Sequence, residues 1–276
     1  MRQGTARTPV EIGARLLLIL VSTGVFVFLV APALAILPLS VNDSHFLTYP
    51  LRGLTLTWYE QVFASRKWQL AIQNSFLIGL PATFIATLLG GLAAIGLSLA
   101  DFRGKGLVTG LLLSPLVVPI VIVAVGLYFF FAPLGLTQSY SGLIMAHAVL
   151  GAPFVVVAVS AALASFDHNL LRAGASLGAD PATVLFRIML PIIAPGVAAG
   201  ALFAFATSFD EVVVVMLLSV PHQRTIPREM FSGIRDGIKP EIAAVATIMT
   251  AVSVFLLLAF EWLRARSARL KGQPRG

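Results

Sequence analysis

Cysteine is absent from this 276-residue chain, which excludes a disulfide framework and any thiolate metal site. Charge is scarce: Asp, Glu, Lys and Arg make up 11% of residues, against about 25% in a typical soluble domain. No polar block is long enough to form a soluble domain of its own. The phosphate-cradling pattern G-x-x-x-x-G-K-[ST] is also missing, since Gly104-Lys105 is followed by Gly106, so no bound nucleotide or other cofactor is predicted on this chain. Four histidines, at 45, 147, 168 and 222, stand singly without metal-ligand spacing. What fills the chain is apolar: 58% of residues are hydrophobic and the mean hydropathy is +0.94. That is the composition of a polytopic membrane protein. The net charge of +7 comes from basic residues that flank apolar runs, so membrane lipid, and not nucleic acid, is the expected partner.

A helix needs about 20 apolar residues to cross a bilayer. Six stretches qualify, at about 16–39, 71–99, 107–131, 141–163, 191–219 and 241–263. They predict an all-α transmembrane domain over 16–263 between an N-terminal tail, 1–15, and a basic tail, 264–276. The first stretch resembles a signal peptide with Ala33-Leu34-Ala35 as its cleavage site, but the apolar run continues through Leu39, which predicts a retained helix. With the N-terminus inside, twelve Lys and Arg fall in cytoplasmic segments and seven outside, the latter being Arg52, Arg66, Lys67, Arg224, Arg228, Arg235 and Lys239. The positive-inside rule therefore places both termini in the cytoplasm. Trp58, Tyr59 and Trp68 suit an interfacial aromatic belt. Gly90, Gly91, Gly96 and the run Gly196 to Gly200 suit close helix packing.

On this topology residues 164–190 form the longest cytoplasmic loop between spans. Asp167 predicts an N-cap for a helix through Leu177, and Gly178 a left-handed stop. Asp180-Pro181 then starts a second helix, because Asp caps well and proline suits the first turn. Val184, Leu185, Ile188 and Met189 share one apolar face. Such a face either packs on the protein's own helices or the lipid interface, or takes a partner.

Gly178-Ala179, eight further residues, then Ile188-Met189-Leu190-Pro191 resembles the cytoplasmic loop signature of ABC importer permeases of the type I fold. The resemblance departs where Arg172-Ala173-Gly174 replaces the family's Glu-Ala-Ala. Ser208-Phe209-Asp210-Glu211-Val212-Val213-Val214, Arg224-Thr225-Ile226-Pro227 and Ile242-Ala243-Ala244-Val245-Ala246-Thr247 are similar to the second permease subunit of spermidine/putrescine-type importers. The likeness covers about residues 55–265. It implies a non-catalytic permease in a bacterial cytoplasmic (inner) membrane, working by alternating access. The implied partners are a second, different permease chain, two ATPase subunits carrying ATP and Mg, and a periplasmic or extracellular solute-binding protein. It further implies that Ala173, Gly174, Leu177, Gly178, Ala179, Asp180, Ile188, Leu190 and Pro191 couple the chain to the ATPase. Relatives of this kind also serve opines and aminophosphonates, and a self-sufficient secondary transporter or channel is the rival from another class.

Asp210 and Glu211 lie about two thirds of the way along the fifth stretch, where a charge in lipid costs at least ~2.5 kcal/mol. Either they line a cavity that carries a cationic solute, with Phe203, Ser208 and Phe209 beside them, or they brace the outer gate. Thr207, one turn before Glu211, is placed to hold it. His147 is either functional or a neutral histidine bonded to a neighbouring helix. Gly174-Ala175-Ser176-Leu177-Gly178 matches the hydrolase pattern G-x-S-x-G, but the strand and turn that pattern needs are not predicted here. Outside, Pro227 to Ile238 predicts a short helix with Met230, Ile234 and Ile238 on one face. That face either meets the solute-binding protein or packs on the bundle.

Overall fold

The computed structural model describes residues 9–237 and 239–270. Its helices are α1 (Pro9–Ser40), α2 (Thr57–Ala64), α3 (Arg66–Leu99), α4 (Lys105–Val117), α5 (Ile120–Phe131), α6 (Tyr140–Ala164), α7 (Asn169–Ser176), α8 (Pro181–Thr183), α9 (Leu190–Phe209), α10 (Val213–Leu218), α11 (Ile226–Asp236) and α12 (Pro240–Leu270). Five helical stretches are long and apolar enough to cross a membrane, and the bent pair α4 and α5 makes a sixth if counted as one span. The predicted Ile238 contact lies outside the described residues, as do the ends of both basic tails.

The chain divides into two compact units, Met1–Val62 with Gly237–Ala251 and Phe63–Asp236 with Val252–Gly276. In the first unit α1 is apolar, and its large side chains from Leu16 through Leu29 are exposed. The loop after it is knotted by Asn42, whose Nδ2 donates to Thr48 O at 3.1 Å and whose Oδ1 accepts from Arg52 N at 3.0 Å. Trp58 donates its indole N–H to Asn42 O at 2.8 Å. That bond lets the whole ring be buried, so Trp58 faces protein and not open surface. Trp68, in the second unit, is buried as well.

The second unit is built on α3, α6 and α9, which pack closely through small residues. A Cβ on Gly90 of α3 would lie 2.8 Å from Ala152 O of α6, and one on Gly200 of α9 would lie 2.8 Å from Val155 Cα. Only glycine lets the three backbones approach this way. Gly91 and Gly96, by contrast, face open space.

The third predicted span is broken. α4 and α5 meet at 110°, with Val118 extended at ψ 133° ahead of Pro119. Proline drives the preceding residue out of the α region and supplies no N–H for the carbonyl of Pro115, itself a proline. Pro81 and Pro153 sit inside α3 and α6 without ending them.

Candidate functional site

Two places gather the residues singled out by the sequence: the loop over 164–190 and the turn after α9. In the loop, Asp167 Oδ1 accepts from Asn169 N at 2.9 Å, and α7 follows. It ends in a Schellman motif. Ala179 N donates to Gly174 O at 3.1 Å and Gly178 N to Ala175 O at 3.0 Å, with Gly178 at φ +82°. Ser176 thus closes a helix, and the G-x-S-x-G segment has none of a nucleophile elbow's geometry. Asp180 Oδ2 then accepts from Thr183 N, and the Thr183 side chain, helped by this amide, holds the exposed Asp180 carboxyl below its ordinary pKa.

From Pro181 the chain runs helically to Phe209, with a π-helical stretch at Val184–Met189. Pro191 cannot donate to Arg187 O, and the π turn, with Leu190 N donating to Leu185 O, carries the ladder past that gap. The apolar face of this stretch turns inward. Met189 is buried, Leu185 and Leu190 pack on the core, and Ile188 and Val184 close on the bare backbone of Gly174. A Cβ there would sit 2.8 Å from Ile188 Cδ1.

What is left unpartnered is a different set of side chains. Leu177 is 89% exposed, and Leu170 and Ala173 lie on the same side of α7. Phe186, Arg172, Pro191 and Arg187 are exposed as well. The loop therefore presents apolar tips with cations around them.

At the other end of this rod, α9 stops at Phe209 and α10 begins at Val213. The predicted uninterrupted fifth span is thus parted at the two acids. Carboxylates next to a β-branched run compete for backbone donors, and Glu211 does so: its Oε1 accepts from Val214 N at 2.8 Å, capping α10. Glu211 is only 9% exposed. Its partner is this amide and not Thr207. Asp210, one residue earlier, is exposed. Phe209 is buried against Phe76 and Phe205, at ring distances of 5.6 and 5.3 Å. Phe203, two turns back, is half exposed and lies 6.4 Å from Phe154 and 6.0 Å from Phe260. Ser208 is buried and meets Nδ1 of His147 at 2.7 Å. His147 is thus bonded to a neighbouring helix.

Sequence reasoning passed over a polar clamp that holds the 219–226 segment. Buried Asn74 of α3 donates to the carbonyls of His222 and Arg224, both at 2.9 Å, and accepts from Tyr140 OH at 3.0 Å. Ser75 accepts from Ile226 N at 2.9 Å, and buried Gln223 donates to Gln138 O at 3.0 Å. An Arg224–Glu229 pair at 3.2 Å closes the start of α11. A signal was available, since Asn74 and Ser75 are adjacent polar residues in an apolar helix.

Residues 86–270 match the family described as "Binding-protein-dependent transport system inner membrane component". The chain belongs to that family, and with its helical fold it is a permease subunit of a binding-protein-dependent ABC importer. The family is a membrane component without catalytic function, and ATP binding in such systems resides on separate ATPase subunits. The chain is 33% identical over 237 residues to the spermidine/putrescine transport system permease protein PotC of Escherichia coli (strain K12), covering 86% of this chain and 89% of that one. It is also 33% identical over 252 residues to the putrescine transport system permease protein PotI of the same organism, covering 88% and 89%. Its fold is similar to that of a bacterial ABC transporter involved in import of the acidic polysaccharide alginate, with TM-score 0.73, 12% identity and coverage of 94% and 98%.

Proposed function

We propose that this chain is one of two different permease subunits of a polyamine importer, passing spermidine, putrescine or a close analogue into the cytoplasm by alternating access. The observation that carries the reading is the division of labour at the break after α9. Glu211 is consumed in capping α10, whereas Asp210 is exposed and its carboxylate has no hydrogen-bond or ion-pair partner among the described residues. A carboxylate kept in a membrane protein at that cost requires water or a cation opposite it. Phe203 stands seven residues before Asp210, about 10 Å along the same helix. An ammonium at Asp210 and a second one over the face of Phe203 suit a flexible chain with charges at both ends. The relatives whose names include spermidine and putrescine agree with this chemistry.

In this reading α4 and α5 form one broken span, six spans cross the bilayer, and both termini are cytoplasmic. The loop with Leu177 at its tip seats in one of two ATPase subunits. A solute-binding protein delivers the polyamine from outside. Nucleotide state and cavity orientation are coupled because each ligand favours a different conformation.

The test is reconstitution with the partner permease, ATPases and binding protein in vesicles, followed by uptake and ATPase measurements with putrescine, spermidine, an opine and an aminophosphonate. Asp210→Asn should raise the half-saturation concentration for polyamine at least about tenfold, the equivalent of ~1.4 kcal/mol. Glu211→Gln, which keeps an acceptor for Val214, should change it less. Unaltered polyamine uptake in Asp210→Asn refutes the reading, as does stimulation by the opine or aminophosphonate alone.

A further inference from the structure

The mechanism above makes no use of the most deeply buried titratable side chain in the bundle. His147 sits on α6, is 1% exposed, and faces Ser208 with Nδ1 at 2.7 Å from Oγ. Its other ring nitrogen, Nε2, is buried without a hydrogen-bond partner among the described residues. An unmet acceptor is tolerated more readily than an unmet donor. The proton is therefore assigned to Nδ1, where it is donated to Ser208 Oγ, and Nε2 carries the bare lone pair.

Ser208 occupies the last turn of α9, two residues before Asp210. The same hydroxyl lies against α3, since a Cβ on Gly79 would stand 3.5 Å from it. The final turn of a helix has no following residues to hold its carbonyls, so its azimuth is set by side chains. On one side Phe209 is wedged between Phe76 and Phe205. On the other, Ser208 is tied to His147.

We propose that His147 is a positioning residue for Asp210: its Nδ1–H···Oγ bond to Ser208 fixes the last turn of α9 so that the Asp210 carboxylate meets the cationic solute. The inference rests on the reading of Asp210 given above. Nothing is asked of Nε2, and this gives the test its resolution. An asparagine amide reaches the position of Nδ1, whereas a glutamine amide reaches that of Nε2.

The experiment uses the assembled importer in vesicles, with putrescine and spermidine as probes and ATPase co-purification as the check on assembly. His147→Ala and Ser208→Ala should each raise the half-saturation concentration about five- to tenfold, the net worth of one neutral hydrogen bond. The double variant should be no worse than the poorer single one. His147→Asn should lie nearer the parent than His147→Gln. Multiplicative effects of the two alanines, or a glutamine variant at least as good as the asparagine one, overturn the proposal. In an Asp210→Asn background, His147→Ala should add no further rise. An impaired Asp210→Asn made worse again by His147→Ala defeats the positioning role while leaving the Asp210 reading intact; an unimpaired Asp210→Asn defeats that reading itself.

Discussion

Gly178 offers a perturbation whose cause can be isolated. Its φ is +82°, and a Cβ built there meets nothing within 4 Å, so any penalty for a side chain comes from the backbone and not from a clash. The left-handed conformation costs an ordinary L-residue about 1–2 kcal/mol. Asparagine pays less, because its short polar side chain tolerates the region, and a β-branched residue pays most. If the turn opens, the bonds from Ala179 to Gly174 O and from Gly178 to Ala175 O are lost together. They are exposed to water and return little of their worth, so the conformational term dominates. A cost of about 2 kcal/mol lowers the share of correctly folded loop up to roughly 30-fold, and the apparent affinity for the ATPase falls by the same factor. Binding of the ATPase subunit to vesicles holding the permease pair should thus weaken in the order parent, Gly178→Asn, Gly178→Ala, Gly178→Val. The valine variant should lose about tenfold or more, and membrane insertion should be unchanged. Equal ATPase binding by the parent and Gly178→Val would refute the reasoning, since no other feature of the site compensates for a strained φ.

The same binding assay separates the other contributions. Leu177→Ser should weaken ATPase association by about 1.5–3 kcal/mol if the side chain becomes fully buried on docking, and normal association would show that the tip stays in solvent. Arg172→Glu should change it by no more than about 1 kcal/mol, as befits an exposed charge; a larger loss, cured by reversing a charge on the ATPase, would reveal a specific pair. Asp180 is held below its ordinary pKa by Thr183, so its contribution to loop folding is present at neutral pH and is lost as pH falls through that lowered value. Asp180→Ala should therefore weaken coupling at neutral pH and flatten its acid dependence, and a parent-like pH profile in that variant would remove the cap from the account.

The parts of this fold that were legible in the sequence are those governed by near neighbours. Gly178 stops a helix and Asp180 starts one through contacts within three or four residues, and both were readable from residue type. The spans were readable from apolar length, but their breaks were not. Pro119 ends a helix that Pro81 and Pro153 do not, and residue type alone does not separate the three. The acids were legible as costly, yet their orientation was not, since Glu211 chose a backbone amide three residues on. Asn74 and His147 were obscure for another reason: their partners lie 148 and 61 residues away, and no local pattern encodes such meetings. The burial of Trp58 and Trp68 was not legible because amphipathic rings look alike in sequence whether they face an interface or an interior.

The helical run from Pro181 to Phe209 puts the tip of the loop and the acidic turn at opposite ends of one rod of 29 residues, about 42 Å long. Length confers leverage. A tilt of about 10° pivoting near Asp180 sweeps the far end sideways by about 7 Å on that length, more than the width of a methylene chain. If the loop seats in an ATPase as proposed above, small angular displacements there become, by geometry alone, displacements of molecular size at the acidic turn.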